Sequence, residues 1–294
     1  MSELALLQWI QSRLENRSDD ILVDSGDDAA VVRVGKRSVL LKTDAIIDGV
    51  HFHLSQTTPE KIGHKAIARS LSDMGAMGGQ GTFAVVAMAI PRRMSRDKIE
   101  GVFRGMKKTA RRFGVSIVGG DIASHSGKLG ITVSLMGELP GGNPVLRSGA
   151  KVGDQILVTG ALGGSIEGKH LRFVPRVQEG LYLAREYRIH SMIDISDGLV
   201  TDLTHICEAS GVGANLDSKK IPISAAAKRM KGPALHHALY DGEDYELLFT
   251  TKSSIGSRIT AQKRGRIIGE VISKRSIFLD GKPLARGGWE HTWK

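Results

Sequence analysis

Apolar residues recur at helical spacing over residues 4–14, where Leu6, Leu7, Ile10 and Leu14 share a face behind the start signals Ser2 and Glu3. The period then changes. Short apolar runs at 31–34 and 39–41 flank Gly35 and Lys36 and predict two strands joined by a turn. Pro59 and Glu60 open a helix expected to reach about Leu71, because proline is tolerated in a first turn. Residues 83–90 are continuously apolar and stop at Pro91, which predicts a buried strand. Residues 96–113 read as a basic amphipathic helix closed by Gly114, and 116–118 and 131–135 as further strands.

Residues 140–144 are rich in Gly and Pro and mark a connection, which predicts domains at 1–139 and 140–294. Beyond it, 155–159 reads as a strand with a Gly-rich turn behind it, 177–187 as a helix and 192–195 as a strand. Residues 199–209 form a helix with Leu199, Leu203, Ile206 and Cys207 on one face, ended by Gly211. Residues 245–250 and 267–272 are later strands. Strands and helices mix in both halves, so each is expected to be α/β or α+β.

Composition narrows this picture modestly. The chain has 294 residues with 41% hydrophobic and 24% charged content, as a globular protein does. Its 36 glycines point to many tight turns and close backbone approaches. The net charge of +10 attracts polyanions without choosing among nucleic acid, membrane surface and phosphorylated metabolites. The single cysteine, Cys207, excludes an internal disulfide and a Cys-rich zinc site. The first residues lack a secretory pattern, and the longest apolar run is too short to span a bilayer; a cytoplasmic protein that engages no membrane is expected.

Against the basic balance, acidic residues recur beside glycines at the ends of apolar runs: GDDAAVV from Gly26, LLKTDAIIDGVHF from Leu40, SLSDMGAMGG from Ser70, SIVGGDIAS from Ser116 and MIDISDGL from Met192. One such acid is an ordinary turn residue. Five segments suggest a shared site for hard cations, which take oxygen ligands and leave positions open for phosphate. Asp194 and Ser196 alternate along a strand and share a face, with Asp197 at the following turn; Ser196 or Asp197 could equally cap the next helix. Asp73 is expected at a helix C-terminus, where an acid opposes the macrodipole. Gly120 and Asp121 follow a strand, in a loop whose N–H groups could approach phosphate. His51 and His53 favour phosphate or substrate contact over a transition metal, because the neighbouring ligands are hard.

Arg147 is either a bidentate phosphate partner or a surface arginine. The acidic loop from Asp241 to Glu246 enters a strand, and Trp289 and Trp293 lie in a Gly-rich tail. There is no Walker A motif, dinucleotide fingerprint or protein-kinase signature. If the chain uses ATP, it does so through metal-bridged phosphates and scattered loops.

Taken together and in order, GDDAAVV, KTDAIIDGVHF, ARSLSDMGAMG, GGDIA, RSGAKVGD, VTGALGGS, IDISDGLVTDLTHI and GEDYELLF resemble the thiamine-monophosphate kinase family of the aminoimidazole ribonucleotide synthetase-like superfamily, over nearly the whole chain. The resemblance implies a two-domain fold whose N-terminal sheet pairs across a homodimer, with a C-terminal α/β domain. It implies transfer of the γ-phosphoryl group of ATP to thiamine monophosphate with several Mg²⁺ ions. It assigns Asp28, Thr43, Asp44, Asp73, Asp121, Asp194 and Asp197 to metal, Gly120, Asp121, Arg147 and Ser196 to ATP, and His51, Glu243 and Trp289 to the thiamine phosphate. No general base is assigned, since a phosphate acceptor is already ionised. Two positions depart from the pattern. Lys42 stands where many members carry Ser or Thr, and an ammonium cannot ligate Mg²⁺. Asp241 replaces a glycine before Glu243. A synthetase of the same superfamily is the nearest alternative; a nucleic-acid-binding module is the other, which no interleaved basic and aromatic pattern supports.

Overall fold

The computed structural model describes residues 3–14, 18–285 and 287–288. Helix α1 (Glu3–Gln11) leads into strands β1 (Ile21–Val23), β2 (Ala30–Val34) and β3 (Arg37–Ile47). Then come α2 (Pro59–Ala76), β4 (Gln80–Pro91), α3 (Arg96–Arg112), β5 (Ser116–His125) and β6 (Gly130–Glu138). The second half holds β7 (Gln155–Val158), α4 (Val177–Glu186), β8 (Ser191–Asp194), α5 (Leu199–Ser210), β9 (Gly213–Leu216) and α6 (Ala234–Tyr240). It ends with β10 (Leu247–Thr251), α7 (Ser253–Ala261), β11 (Arg266–Ile272), β12 (Ile277–Leu279) and β13 (Lys282–Pro283). No helix among the described residues is long and apolar enough to cross a membrane.

The first six strands form one sheet in the order β1-β2-β3-β6-β4-β5, antiparallel except for the β4–β5 pair. The other seven form a second sheet in the order β13-β12-β9-β11-β7-β10-β8. The chain is thus mixed α/β with a sheet in each half, as expected. Strand lengths depart from the expectation in a way that moves the site. β3 runs on through Thr43 and Asp44 to Ile47, and β5 runs on through Gly120 and Asp121, so these residues lie within strands rather than in loops after them. β4 is not a doubly buried strand: Ala84, Val86, Met88 and Ile90 are buried while Phe83 and Val85 are exposed.

Alternation on β3 explains the rest. Leu40, Lys42, Asp44 and Ile46 face α2, and Leu41, Thr43, Ala45 and Ile47 face the open side of the sheet. α2 touches the first sheet, α3, α4 and β8, so it is enclosed on nearly every side. That is why Lys65, Ser70, Ser72 and Asp73 are buried polar residues on it. It also extends past the expected end to Ala76, which puts Asp73 in its last turn. The approach of α4 is so close that a Cβ on Gly180 would lie 1.9 Å from the Gly75 carbonyl oxygen. In α1, Leu7, Trp9 and Ile10 are exposed rather than packed, and Leu14, beyond the end of the helix, is exposed too, so the helical face is shorter than expected and uncovered.

Candidate active site

Three carboxylates from distant segments converge where α2 meets both sheets. Asp28 comes from the turn before β2, Asp73 from α2 and Asp194 from the end of β8; each offers an oxygen, and all three lie within 4.8 Å of one another. Asp44 joins them from β3. Its Oδ2 accepts from the Ser70 hydroxyl at 2.8 Å, and Lys42 Nζ lies 3.1 Å from Asp73 and 3.7 Å from Asp44. Ser72 donates to Asp194 at 2.6 Å. Arg147 is no surface arginine. Its Nη2 and Nε donate to Asp28 Oδ1 at 2.5 and 3.2 Å, and its backbone N–H donates to Asp27. Asp28 is buried, and its Oδ2 has no hydrogen-bond partner among the described residues.

The electrostatics follow from this crowding. Burial, and then repulsion from Asp44, Asp194 and Asp28, pushes Asp73 well above the usual carboxylate range despite Lys42. Burial and Asp28 push Asp194 up to about 7. Burial would also raise Asp44, but Lys42, Arg69 and Ser70 outweigh it and hold it low. Burial works against the charged form of Lys42 as well, yet Asp73, Asp44 and Asp28 raise it above its ordinary value, so the ammonium persists. Carboxylates in this state are short of positive charge. With the orphaned Asp28 oxygen and an all-oxygen donor set, they fit a hard divalent cation.

A second acidic group adjoins the first at the start of α5, where Asp197, Asp202 and His205 converge. The N-cap position falls on Gly198 rather than on Ser196 or Asp197. The Asp202 carboxylate accepts the Asp197 and Gly198 N–H groups at 3.2 and 3.1 Å instead. Burial, Asp197 and Asp194 drive Asp202 well above the carboxylate range. Its signal in the sequence was an acid in the first helical turn, where the dipole favours one.

Beside these acids opens a cavity of about 310 Å³ lined by His51, Arg69, Ser196, Asp197, Glu243 and Tyr245, among others. Its floor is fixed by Lys65, whose fully buried Nζ donates to both Glu243 oxygens at 2.7 Å and to the His51 carbonyl at 2.6 Å, with His170 Nδ1 2.9 Å away. Burial notwithstanding, His170 and Lys65 hold Glu243 down at about 2. Burial lowers Lys65 to about 8 against the pull of Glu243, so both groups are charged at neutral pH. Glu243 and Tyr245 adopt left-handed backbone conformations, φ 53° and 51°. Their N–H groups are held by the Ser196 and Ile195 carbonyls at 2.7 and 2.8 Å. Backbone strain so held is characteristic of a side chain fixed for use. Asp241 ties the same loop down through the Gly164 N–H at 3.0 Å. Arg69 keeps its guanidinium in the cavity with one long hydrogen bond, 3.4 Å to the Ala45 carbonyl, and forms no ion pair among the described residues.

Two expected residues stand apart. Thr43 turns to the open face of the sheet, its hydroxyl 3.1 Å from Ser134. Asp121 lies on edge strand β5, in register with Ala87, Thr132 and Ala45 across the sheet, exposed on that same open face. It does not join the cluster of its own chain. Gly120 beside it is required by packing, since a Cβ there would lie 1.8 Å from the Val86 carbonyl oxygen. His51 accepts the Ile47 N–H on Nδ1 at 3.1 Å. Trp289 lies outside the described residues. Sequence reading missed Lys65, Arg69, Ser70, Ser72, His170 and Asp202.

Residues 26–139 match the N-terminal domain of AIR synthase related proteins, and residues 146–280 match the C-terminal domain. A thiamine-monophosphate kinase of Rhodopirellula baltica is 38% identical over 94% of this chain and 91% of its own length. One from Bacillus subtilis is 33% identical over 86% of this chain and 84% of its own. The structure of AaThiL complexed with AMPPCP and TMP superposes with a TM-score of 0.88 at 32% identity, covering 99% of this chain and 97% of that one. The chain belongs to the thiamine-monophosphate kinase family of AIR synthase related proteins.

Proposed function

We infer that this chain phosphorylates thiamine monophosphate to thiamine diphosphate at the expense of ATP. The observation that carries the reading is the junction of the acidic cluster with the cavity: Asp28, Asp44, Asp73 and Asp194 adjoin a pocket that holds both a fixed carboxylate, Glu243, and an available guanidinium, Arg69. The family's AaThiL relative, complexed with AMPPCP and TMP, supports the same pair of substrates.

Two polyanions must meet in line for such a transfer, so their repulsion has to be neutralised and their phosphates aligned. Mg²⁺, when bound, would supply that neutralisation. In our reading Asp28, Asp73 and Asp194 hold metal, with Asp44 and Asp197 at the margins. Arg147 positions Asp28. Arg69 takes the phosphate of the acceptor, while His51 and Glu243 orient its cationic heterocyclic part, and Ser196 and Asp197 close the wall between the two substrates. The acceptor oxygen is already ionised, so no residue serves as a base and transfer is direct.

Thr43 and Asp121 enter this scheme through a second copy of the chain. The open face of the first sheet exposes Leu41, Ile47, Phe83 and Val85, and edge strand β5 lies beside it. Exposed apolar area of that kind next to an unpaired edge supports a homodimer, as the family resemblance implies. Incubation with ATP, Mg²⁺ and thiamine monophosphate, followed by chromatography, tests the activity. Thiamine diphosphate is the expected product, and its absence with ATP left intact removes the reading.

A further inference from the structure

We propose that Lys42 is a resident cation of the acidic site, occupying with its ammonium the position between Asp44 and Asp73 where a divalent ion would otherwise bind, so that this chain loads one ion fewer than it would with a small neutral residue there. The proposal rests on the metal-site reading above and goes beyond it.

Four observations carry it. β3 alternation aims Lys42 into the cluster rather than to the open face, because Leu40, Asp44 and Ile46 share its side. Its Nζ lies at hydrogen-bonding distance from Asp73, 3.1 Å, and within ion-pair distance of Asp44. All three side chains are largely buried, 20% exposed for Lys42, 13% for Asp73 and 12% for Asp44, so solvent screens the contact little. The unsatisfied carboxylate oxygen lies elsewhere, on Asp28, which Lys42 does not reach within ion-pair distance. The site therefore divides. The edge formed by Asp44 and Asp73 is served by lysine, and the group Asp28, Asp73 and Asp194 remains for a dication.

Charge and geometry both make the two occupants exclusive. An ammonium is a compact cation with three donors. Mg²⁺ demands oxygens at about 2.0–2.1 Å in an octahedral shell. One Asp73 oxygen cannot satisfy that shell on the Asp44 side while accepting from Nζ. The cost of this arrangement is one lost positive charge relative to a dication, and the gain is a cation that needs no loading.

The test counts bound Mn²⁺ by electron paramagnetic resonance in the presence of AMPPCP and thiamine monophosphate. Lys42→Ser is expected to bind one additional Mn²⁺ per chain compared with the native protein. Lys42→Arg, which keeps the charge, is expected to match the native count. Equal counts in the native and Ser proteins overturn the proposal. A second measurement uses the native protein and covers a Ser variant that does not fold. The lysine ¹⁵Nζ signal, assigned by its loss in Lys42→Arg, is expected to stay protected from exchange when Mg²⁺ and AMPPCP are saturating. Loss of protection on adding Mg²⁺ means that the ion displaces the lysine, and the proposal fails. Thiamine diphosphate formation by the native protein is read in parallel. If product is absent but the ion count shifts, the kinase reading falls and the role of Lys42 stands; if product forms and the count does not shift, only Lys42 falls.

Discussion

Lys65 on α2 and Glu243 in the loop before β10 meet across the two halves of the molecule, the ammonium 2.7 Å from both carboxylate oxygens and wholly buried. A lysine with 0% exposure carries a large desolvation cost that only such pairing offsets. The pair therefore fixes the wall of the cavity and holds α2 to the second half at once. Its acid behaviour is calculable in sign. Glu243 is depressed to about 2 from its ordinary 4.5, so its contribution to stability is complete above about 4.5 and disappears as pH falls toward 2. Urea unfolding of the native protein and Glu243→Gln over this range should give a stability gap that is constant near neutrality and narrows below pH 4.5. A gap independent of pH down to 3 would contradict the assignment.

Asp194 should behave in the opposite sense. Burial and Asp28 raise it to about 7 from 3.8, so its ionisation costs stability as pH rises through that window when no metal is bound. Asp194→Asn removes the charge and keeps the shape, and it can still accept from Ser72. The variant is expected to melt a few degrees higher than the native protein in chelator, and to lose kinase activity by 100-fold or more, since metal ligation is worth several kcal/mol of transition-state stabilisation. Native activity, or a lower melting point in chelator, would remove Asp194 from the metal site.

How much of this was readable beforehand depended on whether the signal was local. Asp28, Asp73 and Asp194 are recognisable because acid-plus-glycine segments recur, and α5 because Leu199, Leu203, Ile206 and Cys207 keep strict helical spacing. Strand ends were misjudged at the site itself. Lys42, Thr43 and Asp44 interrupt the apolar run of β3, and the glycines at 119 and 120 look like a turn, yet ladder pairing with β6 and β4 carries both strands onward. Lys65, Ser70 and Ser72 were overlooked for a different reason. On an amphipathic helix such residues face solvent; here α2 is enclosed, and only the packing of α4 and β8 against it makes them interior. Asp121 was placed with the other acids on the strength of its motif, and the register of β5 separates it from them.

Arg69 lines the cavity beside Glu243 and near Asp44, and among the described residues its only hydrogen bond is the long one to Ala45. A guanidinium in that position is suited to a planar, bidentate grip on the acceptor's phosphate. A hydrogen bond to a charged group contributes about 1.5–3 kcal/mol, so Arg69→Gln should raise KM for thiamine monophosphate roughly 10- to 100-fold. KM for ATP should move much less, and unphosphorylated thiamine should compete equally well against both proteins. Equal effects on the two substrates would reduce Arg69 to a counterion of Asp44.

Asp121 offers the sharpest test of the assembly. Between β5 and β3 stand β4 and β6, so Asp121 and Ala45 are in register but separated by three strand spacings, about 14 Å of sheet. Thr43 shares the open face with Asp121, and no rotamer of Asp121 crosses that span. If a second copy covers this face, the Asp121 of one chain serves the metal–nucleotide site of the other. Two inactive variants, Asp121→Ala and Asp73→Asn, should then rescue each other when unfolded and refolded together. Random pairing makes half of the dimers mixed, and each mixed dimer has one site with both residues intact, so about a quarter of native activity should return. Were Asp121 to act within its own chain, every site in the mixture would lack one residue or the other and no activity would appear. Size-exclusion chromatography of the mixture separates that outcome from a failure to form dimers.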